Sequence, residues 1–86
     1  MKIYIVTNEA ERYDSSYHDI LEVFDTMEKA TTCMRTSADD FVTMCDNGDG
    51  FDNYTIETEF PNALIIKNDD NDFEYEAWYV DVYEVH

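Results

Sequence analysis

Basic residues are scarce in this chain: five Lys and Arg stand against twenty-one Asp and Glu in 86 residues, a formal net charge of −16. Such a field repels nucleic acid and anionic membranes, so neither is expected as a direct partner. Glycine occurs twice and proline once, which leaves no material for a flexible linker or a Pro-rich low-complexity segment. A Gly-rich phosphate loop is missing too, and a bound nucleotide would meet the same negative field. The two cysteines, Cys33 and Cys45, form no CxxC motif or Cys/His cluster, which removes the common zinc patterns. Placed on one helix they would stand ~18 Å apart, too far for a disulfide. Free thiols suit a reducing compartment, and the expected location is the cytoplasm. The opening "MKIYIVT" is too short and too alternating for a signal peptide, and no apolar run approaches membrane length.

What the chain does contain is aromatic side chains: seven Tyr, five Phe and one Trp, 15% of the residues. An acidic disordered tail is poor in such residues, so a folded chain is expected, and its length suits a single domain over residues 1–86.

Lys2 to Thr7 is β-branched and aromatic and predicts a strand. Residues 8–17 carry turn chemistry, and 18–25, "HDILEVFD", predict a second strand antiparallel to the first. Asp25, with Glu28 three positions on, has the pattern of a helix N-cap and capping box. From there Met27, Ala30, Met34, Ala38, Phe41 and Cys45 recur at helical spacing as a core stripe, and Gly48 is a natural stop. Ser37-Ala38-Asp39-Asp40 offers a second N-cap at which the helix can break. "NYTIETEF" then alternates, with Tyr54, Ile56, Thr58 and Phe60 on one face and Thr55, Glu57 and Glu59 on the other. Pro61-Asn62 interrupts, "ALIIK" is another strand, Asn68–Asp72 a turn, and Phe73–Val85 a last strand. In that last strand Trp78, Val80 and Val82 share the phase of Glu74 and Glu76, so either both faces are buried beyond Ala77 or a bulge shifts the register. The expected architecture is α+β, a ββαβββ order with one helix on one face of a mostly antiparallel sheet.

Residue types that suggest catalysis or metal binding do not assemble into motifs. Setting Gly48 or Gly50 at position 6 of a calcium loop puts Thr43 or Cys45 at position 1, where an oxygen-rich ligand is required, and "NDDNDFEYE" has no glycine. Asp14, Ser15, Ser16, His18 and Asp19 hold the residue types of a hydrolase triad, but lie in an ordinary polar loop without a nucleophile elbow. His18 has no companion ligand and His86 is terminal. No catalytic residue, metal or cofactor is assigned, and the expectation is a protein that is not an enzyme.

The charge is unevenly spread. Residues 1–35 hold seven acids and four bases, whereas residues 36–86 hold fourteen acids and one base, Lys67. A solubilising surface intersperses both signs and carries a net charge of magnitude ~2–8 in a small domain. A single-sign field instead suits docking on a basic surface. Alternate strand residues point the same way, so Glu57/Glu59 and Glu74/Glu76 are expected to present carboxylates ~6.6–6.8 Å apart. With Asp69, Asp70 and Asp72 in the turn, and Asp46, Asp49 and Asp52 in the loop before it, such rows can imitate the charges of a phosphate backbone. Tyr54, Phe73, Tyr75, Trp78 and Tyr79 lie among the acids, either as anchors for a partner or as sheet core.

A short, acidic, folded chain that opens "MKIYIVT…YHDILEVFDTMEKA" resembles the nucleic-acid-mimicking inhibitors of bacteriophages, which include anti-CRISPR proteins, anti-restriction proteins and uracil-DNA glycosylase inhibitors. By pattern the resemblance covers residues 1–34 and carries over no site residue by residue. It implies a protein acting in the host bacterial cytoplasm that blocks the basic nucleic-acid groove of a CRISPR effector complex or nuclease. The alternatives are an inhibitor of another DNA-binding enzyme (a restriction enzyme or uracil-DNA glycosylase), an inhibitor acting allosterically, or an acidic interaction module without an inhibitory role. Both a monomer and a homodimer paired through edge strands fit the pattern.

Overall fold

In the computed structural model, which describes residues 1–59 and 62–86, five strands form one antiparallel sheet with a single helix packed on one face. The elements run β1 (Lys2–Glu11), β2 (Ser16–Phe24), α1 (Met27–Asp46), β3 (Tyr54–Glu59), β4 (Ala63–Asn68) and β5 (Tyr75–Glu84), the expected ββαβββ order. In space the strands lie β2-β1-β5-β4-β3. The expected placements of Phe60 and Pro61 fall outside the described residues.

The first hairpin is longer than its composition suggested. Asn8–Glu11 continues β1 and Ser16 already belongs to β2, so the loop expected over 8–17 shrinks to residues 12–15. Polar residues occupy strand positions here because β1 is held on both sides, by β2 and by β5. Backbone pairing on two flanks outweighs the weak strand preference of Asn and Glu. The register shift lies between Val6 and Thr7 in the β1–β2 pairing, whereas β5 pairs with β1 without interruption from Glu84 to Tyr75. Of the two readings of the last strand, the bulge is therefore not the explanation.

The helix begins one residue later than the capping-box pattern implied. Thr26 is the N-cap, in extended conformation, and its Oγ1 accepts from the Lys29 backbone N–H at 3.2 Å. Asp25 pairs instead with the Lys29 ammonium at 3.0 Å, and Lys29 holds the Asp25 carboxyl below its ordinary pKa. The helix does not break at Ser37. That hydroxyl accepts a hydrogen bond from the Trp78 indole at 2.9 Å, so it serves tertiary packing rather than a second cap. At the other end Gly48 has φ of 86°, its N–H bonds to Cys45 O and the Asp49 N–H bonds to Met44 O. These two bonds form a Schellman motif, which needs the left-handed conformation that glycine adopts without strain.

The core joins Ala30, Met34, Ala38 and Cys45 of α1 to Val6, Ile66, Trp78 and Val80 of the sheet, with Phe51 closing one end. Phe41 packs edge-on against both Phe51 and Trp78, with centroids 5.3 and 5.9 Å away. Both cysteines lie on α1 as free thiols. Burial, and then the Glu22 carboxylate, push the Cys33 thiol above its ordinary pKa.

Candidate acidic interface

The strand order keeps the charges apart. The N-terminal hairpin occupies one edge of the sheet, while β4 and β3 occupy the other; Arg12 of the first half nevertheless pairs with Glu76 of the second. Two separate segments then meet at one end, the loop after α1 and the turn between β4 and β5. The Asp69 N–H bonds to Asn53 O at 2.9 Å, the Thr55 hydroxyl donates to Asp69 Oδ1 at 2.8 Å, and the Asn53 amide donates to Asp70 at 3.1 and 3.3 Å. On the helix side the Tyr54 hydroxyl donates to Asp46 Oδ1 at 2.9 Å, and that hydrogen bond raises the Tyr54 pKa. These contacts fix the backbone that carries Asp46, Asp49, Asp52, Asp69, Asp70 and Asp72, all of them exposed.

Glu74 joins this end half-buried. It accepts from the Asn68 amide at 3.0 Å and sits 3.4 Å from the Tyr13 backbone N–H, which ties the β1–β2 turn to the same region. A hollow of about 480 Å³ opens there, with Asp49, Asp52, Asp70 and Glu74 among its lining and Arg12 and Phe51 beside them. Glu57 and Glu59 do not belong to this end. They lie along the edge strand β3, facing away from the helix, and Glu57 is paired with Lys67 at 3.1 Å. Another hollow, about 550 Å³ between α1 and β2, includes none of these acids.

Glu76 overturns one expectation outright. Expected as half of an exposed Glu74/Glu76 row, it is only 3% exposed and points to the helix face with Trp78 and Val80. The reason is phase: the inward phase of β5 includes a charged position, which hydrophobic alternation alone assigns outward. Around Glu76 the protein builds a closed set of donors. Arg12 Nη2 lies 2.6 Å from Oε1, the Tyr17 hydroxyl donates to Oε2 at 2.6 Å, and the Asn8 amide donates to Oε2 at 3.0 Å. Arg12 also donates to Tyr75 O at 2.7 Å, and its guanidinium lies 4.7 Å from the centre of the Phe51 ring. The Tyr17 hydroxyl is pushed up to about 12, first by burial and then by its bond to Glu76. Glu76 is thus an internal anchor rather than a contact residue. Asn8, Arg12 and Tyr17 lie in the segment whose composition predicts a loop, so the sequence holds no signal that they converge on Glu76.

The aromatic residues divide between roles. Trp78 is core, Tyr54 is half-buried and hydrogen-bonded, and Tyr75 and Tyr79 are half-buried on the sheet face opposite α1. Phe73 is 77% exposed in the β4–β5 turn, and Tyr13, outside the acidic segments of the sequence, is 89% exposed in the neighbouring β1–β2 turn. Among the described residues no group of three or more His, Cys, Asp or Glu is placed to hold a metal ion, and no helix is long and apolar enough to cross a membrane. Comparison with protein-family models, curated proteins and solved structures returned no match.

Proposed function

We propose that this protein is an anti-defence inhibitor of phage origin that docks on a basic nucleic-acid-binding protein, a CRISPR effector in the first instance, and excludes DNA or guide RNA from its groove. The observation that carries this reading is the convergence of two acidic segments at one end of the sheet. Six exposed aspartates stand on backbone held by cross-links between the α1–β3 loop and the β4–β5 turn. Carboxylates held in place in this way can meet Arg and Lys forks with less ordering cost than a mobile acidic tail. Exposed Phe73 and Tyr13 at the same end supply flat apolar area of the kind that stacks or anchors at an interface. Inhibition then needs no chemistry from this chain, only occupancy of the groove.

The test is DNA binding by a guide-loaded CRISPR nuclease in the presence of increasing amounts of this protein, repeated at ~50 and ~200 mM salt. Inhibition should weaken steeply with salt, and Asp69→Lys with Asp70→Lys should reduce affinity about tenfold or more, some 1.4 kcal/mol. Inhibition that ignores both salt and those reversals would refute nucleic-acid mimicry. A restriction nuclease and a uracil-DNA glycosylase assayed in parallel distinguish the CRISPR target from the other DNA-binding enzymes.

A further inference from the structure

The helix covers one face of the sheet, and among the described residues nothing covers the other. An exposed face of an antiparallel sheet ordinarily alternates to polar side chains. Here the outward phase of β1 begins Ile3, Ile5, Thr7, and that of β5 runs Tyr75, Ala77, Tyr79, Asp81, Tyr83. Ile65 of β4 and Ile20 of β2 extend it sideways, opposite Ala77 and Thr7 respectively. Ile20 is 67% exposed and Tyr83 52%, well beyond what a solvated face requires. Ala77 and Ala63 are nevertheless buried on this side, because the larger side chains around them roof the surface. Ile5, Thr7, His18, Ile20, Asp81 and Tyr83 line a hollow of about 390 Å³ on it.

The charges around this apolar strip are mostly negative. Glu9 pairs across to Ala77, between Tyr75 and Tyr79; Glu11 pairs to Tyr75; Glu59 lies on β3 opposite Ala63, the residue beside Tyr79. The placement of these carboxylates agrees with the tyrosines' behaviour: burial first, then Glu9, raise the Tyr75 and Tyr79 hydroxyls, with Glu59 adding to Tyr79. Lys67, the one lysine on this face among the described residues, is already paired with Glu57. A second copy of this chain would bring the same carboxylates and a further −16 charges, so self-association through this face is opposed. A cation meets the reverse situation. Aromatic rings flanked by carboxylates favour Lys and Arg through both ring quadrupole and charge.

We propose that the bare sheet face is a second docking surface, for an amphipathic basic segment of a partner protein. An Arg or Lys of that segment sits at Tyr79 between Glu9 and Glu59, and a neighbouring apolar side chain fills the hollow by Ile5, Ile20 and Tyr83. The surface is distinct from the aspartate end, and the inference stands whether or not the partner binds nucleic acid.

Two synthetic peptides of equal charge and length test it, one alternating Arg with Leu and the other alternating Arg with Ser. Each is titrated into the isotopically labelled protein and followed by backbone amide shifts. The Arg/Leu peptide should move Ile5, Thr7, Ile65, Ala77 and Tyr79, and should bind about tenfold or more tighter than the Arg/Ser peptide. Ile20→Ser with Tyr83→Ser should abolish that preference. Glu9→Gln with Glu59→Gln, which keeps side-chain volume and so guards against misfolding, should weaken both the sheet-face shifts and the affinity. Equal binding of the two peptides, with shifts confined to residues 46–52 and 69–72, overturns the sheet-face site and leaves the aspartate end intact as a docking surface. Shifts in neither region would overturn both.

Discussion

Replacing Arg12 with Met removes the one cation beside a buried carboxylate, and the structure sets the expected cost. The Glu76 side chain is 4% exposed and that of Arg12 27%, joined at 2.6 Å. Breaking a buried pair by removing one partner costs ~3–5 kcal/mol, because the remaining charge is left in a poorly polarisable setting. The partial exposure of Arg12 and the two surviving donors to Glu76, Asn8 and Tyr17, place this case at the lower end, about 3 kcal/mol. For a domain of this size that is a fall in Tm of about 12–24 °C. Urea unfolding followed by the single tryptophan, which is buried at position 78, reads the loss directly. The double variant Arg12→Met/Glu76→Leu should recover to within ~1 kcal/mol of the parent, since an apolar replacement of both partners removes the stranded charge. Asn8 keeps its bond to Ala77 O and the Tyr17 hydroxyl keeps Asn8 and solvent, so neither remaining donor is stranded; Tyr75 O loses its Arg12 donor, which sets the residual cost. A cost for Arg12→Met below ~1 kcal/mol, or a double variant no better than the single one, would refute the description of Glu76 as an internal anchor. The same reasoning governs mutational mapping of the interface: Glu74→Lys tests binding, whereas Glu76→Lys places two cations together in the core and tests folding.

Alkaline stability should follow the tyrosines. Tyr17 rises from 10.0 to about 12 in the folded chain, so the stabilisation it represents is complete below pH 10 and is lost as pH climbs towards 12. Unfolding above pH 10 that runs parallel to tyrosinate absorbance checks this, and Tyr17→Phe should blunt it. Gly50→Ala should cost ~1–3 kcal/mol by overpacking, because the added Cβ would lie 2.6 Å from the buried Cys45 Sγ and 3.2 Å from its Cα. At the start of the helix, Thr26→Ala should cost ~1 kcal/mol through loss of the N-cap, while Asp25→Ala, which loses only an exposed ion pair with Lys29, should move the urea midpoint much less. Equal effects from those two changes would return the cap to Asp25.

Several features were legible in the sequence because they depend on neighbours in the chain. The helical stripe from Met27 to Cys45 announces the core face of α1, and Gly48 its end, since period and capping are local properties. The alternation over Tyr54–Glu59 and the run Ala63–Lys67 mark strands for the same reason. The charge asymmetry between the two halves is likewise written in the residue order. Which side of a strand faces the helix is another matter. It depends on what lies across the sheet, and only the fold puts Asn8, Arg12 and Tyr17 around Glu76, up to 68 residues away in the chain. That assembly makes burial of a glutamate tolerable, because each carboxylate oxygen receives a short hydrogen bond that no local pattern can supply. The strand order likewise decides that the α1–β3 loop and the β4–β5 turn share one end, and that the aromatic phase of β5 lies on the face the helix leaves bare. The sequence by itself therefore determined the amount and sign of charge; tertiary pairing determined which carboxylates are surface and which are scaffold.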